Sequence, residues 1–146
     1  MNIRNMKTED YDQVYALWLS CPGMGLNDRD DSREGIARFL DRNPETCFVA
    51  EDSGKVIGVI LAGSDGRRGY IYHTAVSSER QREGIATALV NTAMDAFESI
   101  GISKAALVVF DRNEIGNAFW ESIGFSVRHD LVYRNRSIVP LKRIDT

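Results

Sequence analysis

Residues 77–87 read SSERQREGIAT and join a β-rich run at residues 70–76 to an amphipathic helical pattern at residues 84–100. A nearly continuous apolar run follows at residues 104–110. Strand, loop, helix and strand in this order predict a βαβ unit, whose crossover is right-handed in almost all proteins. We therefore place residues 77–87 at a helix N-terminus in the centre of an α/β fold.

The rest of the chain predicts further strands and helices on both sides of this unit. Apolar residues at helical spacing predict helices at residues 8–20, 31–43 and 114–123, with Asp31 as the N-cap of the second. β-rich runs predict strands near Ile3 and at residues 46–51, 56–62, 125–128 and 131–139. The sequence thus predicts one α/β domain over residues 1–146, with about four helices and a mixed, mostly antiparallel sheet of six or seven strands.

Composition and charge exclude several classes of protein. The 146 residues are 43% hydrophobic and 27% charged with a net charge of −3, which is typical of a globular chain and provides no general positive field for nucleic acid. No apolar run reaches the roughly 18 residues of a membrane span, and the start lacks a secretory signal, so we predict a cytoplasmic protein that binds no membrane. Cys21 and Cys47 form no CxxC motif, and only two histidines are present, so we predict no metal site.

The start of the 84–100 helix is a candidate anion site. The first N–H groups of a helix have no intrahelical partner, and the helix dipole is positive there, which favours phosphate oxygens. Gly84 and Ala86 are small enough for a close approach to the backbone, Thr87 adds a hydroxyl, and Arg82 adds positive charge. The sequence contains neither GxxxxGK[ST] nor GxGxxG, which disfavours P-loop and dinucleotide sites. An ordinary βα loop is the alternative.

Residues 113–125 read NEIGNAFWESIGF and predict a short helix with a second candidate face. Helical spacing puts four residues on that face: Asn113, Gly116, Asn117 and Trp120. A glycine within a helix costs about 1 kcal/mol relative to alanine, so Gly116 indicates something packed closely against it. The alternative is that Trp120 fills a gap beside the sheet while both asparagines face water.

These two segments resemble a known family. Residues 81–86, QREGIA, are similar to the Q/R-x-x-G-x-G/A pyrophosphate loop of the GNAT superfamily of acetyl-CoA-dependent N-acetyltransferases. Residues 113–125 resemble the segment that follows it in that family, with an asparagine, a short helix and a terminal Gly-Phe. The order of elements resembles the family from residue 1 to about residue 140.

The resemblance implies acetyl-CoA as cofactor, lying between strands 70–76 and 104–110, which splay apart in this family. It implies that the backbone of the first of these strands pairs with the pantetheine arm, that residues 82–87 hold the pyrophosphate, and that Asn113 contacts the arm from the other side. The implied cofactor-binding residues are Ala75, Val76, Gln81, Arg82, Glu83, Gly84, Ile85, Ala86, Thr87, Asn113, Asn117 and Trp120.

The sequence departs from the family at the position that commonly holds a tyrosine thought to protonate the leaving thiolate. Trp120 occupies that position, and an indole N–H is no useful acid. We therefore predict Tyr133 as the proton donor, with solvent as the alternative. His73 is the candidate base, since imidazole can exchange a proton near neutral pH. It shares strand parity with Ile71 and Ala75, so a buried structural histidine is the alternative, with a water chain in place of a base.

The acceptor is expected to be a primary amine, on a small molecule or a protein. The acidic residues of the loop at 23–31 would suit a cationic amine, or they form a solvated loop in which Asp31 caps a helix. The competing function is a non-catalytic acyl-CoA-binding regulatory module, suggested by Trp120 alone. A homodimer is left open, and no nucleic-acid partner is expected.

Overall fold

The sheet has five strands, arranged side by side in chain order. The computed structural model describes residues 1–146 throughout, and its strands are β1 (Asn2–Asn5), β2 (Phe48–Asp52), β3 (Lys55–Ser64), β4 (Gly69–Val76) and β5 (Ala105–Ala106). The first four pair antiparallel with their neighbours, while β4 and β5 pair parallel. This confirms an α/β protein with a mostly antiparallel sheet.

Four helices cover the two faces of the sheet. They are α1 (Tyr11–Ser20), α2 (Arg33–Arg42), α3 (Ile85–Ser99) and α4 (Glu114–Ser122). One apolar cluster joins α1 and α2 to the sheet through residues such as Trp18 and Ile36, and a second joins α3 through residues such as Leu89 and Phe97. No helix is long and apolar enough to span a membrane.

Turn residues end several elements where the sequence predicted. Strands β2 and β3 form a hairpin at residues 52–54, in which Ser53 and Gly54 have φ of 52° and 78°. Two left-handed residues of this kind match the twist of a hairpin. Gly101 and Gly124 follow α3 and α4 with φ of 83° and 97°, a conformation that glycine adopts at little cost.

The prediction of six or seven strands was wrong, because the two closing strands do not form. Residues 125–128 and 131–139 pair with no strand. Their alternating apolar side chains face solvent, with Val132 76% and Tyr133 66% exposed. Residue types such as Val and Tyr favour strands only where a partner strand is present to pack against, and the last strand, β5, offers a ladder of two residues.

The predicted strand over residues 104–110 is correspondingly short. It pairs with β4 only at Gly69 with Ala105 and at Tyr70 with Ala106. Beyond these pairs β4 and the segment after β5 diverge, which leaves one edge of residues 71–76 without a strand partner. The divergence agrees with the splayed strands that the resemblance implies, although the run is not buried on both faces.

A β-bulge interrupts β4 where it passes Leu61. Ile60 pairs with Thr74, but Ala62 pairs with Ile71, so two residues of β4 lie opposite one of β3. As a result Tyr72 and His73 both face α1 and α2, and the alternation of faces shifts by one residue. The predicted parity of His73 with Ile71 was therefore wrong, since Ile71 packs on the α3 side.

Candidate active site

The first turn of α3 has no side-chain cap. Arg82 and Gly84 lie just before it with left-handed φ of 65° and 79°. The first intrahelical bond is donated by the Ala88 N–H to the Gly84 carbonyl at 3.0 Å, so the N–H groups of residues 85–87 have no partner within the helix. A Cβ added at Gly84 would meet no atom within 4 Å. The helix end therefore opens into free space.

Side chains of the preceding loop fix its shape. The Arg80 guanidinium donates to the Glu83 carboxylate at 2.9 Å and to Asp52 of the hairpin at 2.8 Å. The hydrogen bonds from Arg80 to Glu83 hold the pKa of the Glu83 carboxyl below its usual value. The predicted residue Glu83 is thus engaged within the loop, while the backbone of residues 84–87 remains available.

The open edge of β4 ends at Val76. The Ser77 N–H donates to the Ile57 carbonyl at 2.8 Å, so the alternation of the antiparallel ladder turns the Val76 carbonyl the other way, towards β5. The Gln81 Nε2 atom donates to that carbonyl at 2.9 Å. Ala75 faces β3 by the same alternation, and its side chain is buried. Two predicted residues, Gln81 and Val76, are therefore brought together at the start of the loop.

Asn113, the N-cap of α4, and Asn117, in its first turn, stabilise the start of this helix. Asn113 Oδ1 accepts the Gly116 N–H at 2.9 Å, and Asn117 Nδ2 donates to the carbonyls of Asn113 and Phe110 at 2.8 and 3.0 Å. A Cβ at Gly116 would clash with the Asn113 side chain. The glycine is explained by this cap and requires no ligand against it.

Trp120 packs beside the sheet. Its ring lies edge-on to Phe119 and Phe125, with centroids 5.1 and 5.2 Å apart, and adjoins the α3 cluster. This position agrees with the interpretation that Trp120 fills a gap there. A wall position beside the diverging strands β4 and β5 is compatible with the same packing.

His73 forms a hydrogen-bonded pair with Asp31. Its Nε2 atom lies 2.7 Å from Asp31 Oδ1, and Asp31 is only 3% exposed. The carboxylate also accepts the Asn27 N–H at 2.9 Å, and the Tyr11 hydroxyl donates to the Asp31 carbonyl at 2.6 Å. The Trp18 ring lies edge-on to the imidazole, with centroids 4.9 Å apart. These contacts fix the orientation of the histidine ring.

The pair lies at the edge of a cavity of about 470 Å³ between α2, the loop at residues 25–31 and β4, which we call the α2 cavity. Asp31, Tyr72 and His73 are among its lining residues. The imidazole nitrogen that does not face Asp31 has no hydrogen bond to protein. A histidine held by a carboxylate on one side and open on the other is suited to exchanging a proton with a bound molecule.

Sequence reasoning missed the role of Asp31. The predicted N-cap of α2 is wrong, because Ser32 Oγ accepts the Gly35 N–H at 3.0 Å and caps the helix instead. Asp31 is therefore free to turn inward to His73. Asp31 and Ser32 are adjacent, and both residue types can cap a helix. The presence of a second possible cap is the sequence signal that Asp31 could have another role. No group of three or more His, Cys, Asp or Glu side chains could hold a metal ion.

Tyr133, the predicted proton donor, lies outside any strand. Burial, together with the neighbouring phenols of Tyr133 and Tyr72, raises the pKa of Tyr70 to about 12. Tyr133 is thus placed beside the part of β4 that precedes His73.

The last residues of the chain fasten the loop that carries Asp31. The Asp145 carboxylate accepts the N–H groups of Met24 and Leu26 at 2.9 and 2.7 Å. The Lys142 N–H donates to the Asp28 carboxylate at 2.8 Å. Hydrogen bonds at Met24, Leu26 and Asp28 therefore hold the loop at residues 24–28 in place.

Comparison with known proteins identifies the family. The model of the acetyltransferase (GNAT) family matches residues 11–125. The chain belongs to the GNAT acetyltransferases. An acetyltransferase of Photorhabdus laumondii subsp. laumondii is 33% identical over 141 residues, which cover 95% of this chain and 97% of the relative. The resemblance of the chain to this family is thereby confirmed.

Solved structures share the fold of this GNAT protein. Ard1 from Thermoplasma volcanium has a TM-score of 0.77 at 21% identity, covering 87% of this chain and 83% of that one. The aminoglycoside antibiotic 6'-N-acetyltransferase AAC(6')-IG from Acinetobacter haemolyticus has a TM-score of 0.73 at 19% identity, covering 95% and 100%. As a GNAT acetyltransferase, the protein is an enzyme that transfers an acetyl group to an amine.

Proposed function

We propose that this enzyme transfers the acetyl group of acetyl-CoA to a primary amine by direct attack of the amine on the thioester. The observation that carries the proposal is the placement of two features around the end of β4. The uncapped start of α3 follows Val76 on one side, and the Asp31–His73 pair borders the α2 cavity on the other. An anion site and a proton-exchanging group thus flank one strand end.

The diverging strands and the helix end fit the parts of acetyl-CoA. The N–H groups of residues 85–87 favour the pyrophosphate oxygens, and Arg82 adds positive charge. The Val76 carbonyl is held by Gln81, but the Val76 N–H faces the same open edge of β4 and is available to the amide groups of the pantetheine arm, with Ala75 beside it. Asn113 and Asn117 border the arm through α4, Trp120 forms a wall, and Gln81 and Glu83 hold the loop in shape.

His73 and Asp31 would act on the acceptor. A protonated amine has no free lone pair, so the base must remove one proton before the nitrogen attacks the thioester carbonyl. Asp31 orients the imidazole by binding Nε2, and the opposite nitrogen accepts the amine proton. The resulting imidazolium is stabilised by the Asp31 carboxylate. Bound acetyl-CoA supplies the activated acyl group.

Tyr133 is proposed as the donor of the proton that the departing thiolate takes up. Its phenol is a neighbour of the Tyr70 phenol on β4, where it adds to the effect of burial on the pKa of Tyr70. A Tyr133→Phe variant is expected to lower kcat about tenfold or more, since donation by a placed acid contributes roughly 10²–10⁴-fold. Unaltered kcat would assign the donor role to solvent.

The cofactor site can be tested by calorimetric titration with acetyl-CoA. Gly84→Val places a side chain in the open space at the start of α3, and the affinity is expected to fall more than tenfold. Gly101→Val is the matched control, because Gly101 has φ of 83° and open space around its Cβ position but lies after the same helix. Both variants carry similar backbone strain. Equal affinities in the two folded variants would contradict the proposed site.

A further inference from the structure

The α2 cavity carries opposite charges along its length. Asp30 and Asp31 lie just before α2, whereas Arg38 and Arg42 lie on α2, and all four line the cavity. With a rise of about 1.5 Å per residue, the Cα atoms of Arg38 and Arg42 lie about 9 and 15 Å from that of Ser32 along the helix axis. The cavity is therefore acidic near His73 and basic further along the helix.

The two arginines have no carboxylate partner. Glu34 lies four residues before Arg38, the spacing that favours an ion pair on a helix surface, but no such pair forms and the Arg38 side chain borders the cavity. Arg33 on the same helix behaves differently, since it pairs with Asp12 and lies over the Tyr11 ring at 4.8 Å. Asp65 lies within Coulombic reach of Arg42, since the backbone N–H groups of Arg68 and Arg67 and the charge of Arg42 lower the pKa of that carboxyl. Neither cavity arginine is held in an ion pair, so both can bind an anion.

An aromatic wall connects the charged regions. Phe39 and Tyr72 meet edge-on with centroids 5.5 Å apart, and Tyr72 is half exposed. Leu61 lies beneath them at the β-bulge. A ligand that extends from His73 towards the arginines would cover this apolar surface.

We propose that the amine acceptor carries an anionic group, carboxylate or phosphate, which Arg38 and Arg42 bind while the amine lies at His73. This inference rests on the proposed function and specifies its substrate class. A guanidinium group binds either anion with two parallel hydrogen bonds. The separation along α2 requires several bonds between the amine and the anion. Polycationic amines are disfavoured, because their second charge would lie against the arginines.

Matched amines test this specificity. We would measure CoA release with 6-aminohexanoate, hexylamine and 1,6-diaminohexane, which differ only in the terminal group, and with glucosamine 6-phosphate against glucosamine. We expect kcat/KM to be at least tenfold higher for the anionic member of at least one pair, and the preferred pair distinguishes carboxylate from phosphate. Equal or lower kcat/KM for both anionic members overturns the inference, while transfer to the other amines leaves the proposed function intact.

The arginines are tested by paired substitutions. In the Arg38→Gln/Arg42→Gln double variant the preference for the anionic amine is expected to fall towards unity. Arg33→Gln, which removes a charge from the same helix outside the cavity, should keep the preference. A preference that survives the double variant overturns the assignment to these residues. Thermal unfolding of each variant verifies that the comparison is made between folded proteins.

Binding gives a readout that does not require transfer. Calorimetric titration of 6-aminohexanoate and glucosamine 6-phosphate into the enzyme with CoA is expected to show binding that weakens at least tenfold in the double variant. Absence of binding for both overturns the inference. Failure to bind acetyl-CoA or to acetylate any amine would instead contradict the proposed function.

Discussion

Two buried aspartates lie just before helices in this protein, and they serve different ends. Asp10 directly precedes α1 and is 6% exposed, while Asp31 lies two residues before α2 and is 3% exposed. Each accepts one backbone N–H, from Lys7 at 2.8 Å and from Asn27 at 2.9 Å respectively. The local surroundings of the two carboxylates are therefore closely alike.

Their side-chain partners differ. Asp10 accepts two hydrogen bonds of 2.9 Å from Arg4, which also binds Glu51. Asp31 faces His73, which borders the α2 cavity. Arginine keeps its charge at all relevant pH values, whereas histidine can release a proton. Under the proposed function, a titratable partner with access to a ligand is what distinguishes Asp31 from Asp10.

The largest effect is expected on turnover in Asp31→Asn. The amide cannot stabilise an imidazolium at His73, so kcat should fall roughly 100-fold, within the range attributed to general base catalysis. Steady-state kinetics with a saturating amine measure the change, and calorimetry should show unaltered acetyl-CoA affinity. Asp10→Asn is the control and should keep the wild-type kcat. Equal kcat in the two variants would remove the functional distinction.

The second largest effect is expected on the stability of the Asp10→Asn variant. Loss of the charge-assisted hydrogen bonds leaves Arg4 with one carboxylate partner, and the free energy of unfolding should decrease by about 1–3 kcal/mol. Urea denaturation at neutral pH measures it. The same substitution at Asp31 should cost less, because an imidazole does not have to carry a charge, whereas the Arg4 guanidinium always does. A larger loss at Asp31 would reverse the comparison.

The pH dependence of stability should distinguish Asp10 from its variant. Burial alone would raise the pKa of the Asp10 carboxyl, but hydrogen bonds from Arg4 and from the Lys7 N–H hold that pKa below its usual value of 3.8. The native state therefore binds this proton less readily than the unfolded chain, and the stabilisation is present above about pH 4 and lost as the pH falls further. The difference in unfolding free energy between wild type and Asp10→Asn should thus be constant above about pH 5 and shrink below pH 4. A constant difference down to pH 2 would contradict the lowered pKa.

The smallest effect is expected in Ser32→Ala. Removing the cap of α2 should lower the free energy of unfolding by about 1 kcal/mol, measured by urea denaturation. Turnover should stay within a few-fold of wild type, because the Asp31–His73 hydrogen bond does not involve Ser32. A loss of kcat comparable to that of Asp31→Asn would show that the cap itself positions the carboxylate.

The sequence predicts what lies within one continuous segment. The hairpin at residues 52–54, the start of α3 at Gly84 and the glycines after α3 and α4 all follow from local residue types. The proposed anion site at the start of α3 likewise consists of backbone groups of neighbouring residues. Such features need no knowledge of which distant segments meet.

The acceptor side depends on distant segments and could not be predicted. Asp31 and His73 are 42 residues apart, and because of the β-bulge the histidine lies on the opposite face from Ile71, although it is two residues away. Nothing in the residue types at 71–75 distinguishes a bulge from a regular strand. The closing strands at 125–139 failed for a related reason, since strand formation requires a partner that the local pattern does not reveal.

The bulge in β4 has a consequence for how the strand tolerates changes in length. At Tyr72 and His73, strand β4 has one residue more than the facing part of β3. Before and after this pair, the apolar side chains of β4 pack in the cluster on their own face of the sheet. A deletion of one of the two residues would give a regular strand in which Ile71 and Ala75 keep their faces. One of the two bulge positions, which include the histidine that borders the α2 cavity, is therefore not needed to form the strand.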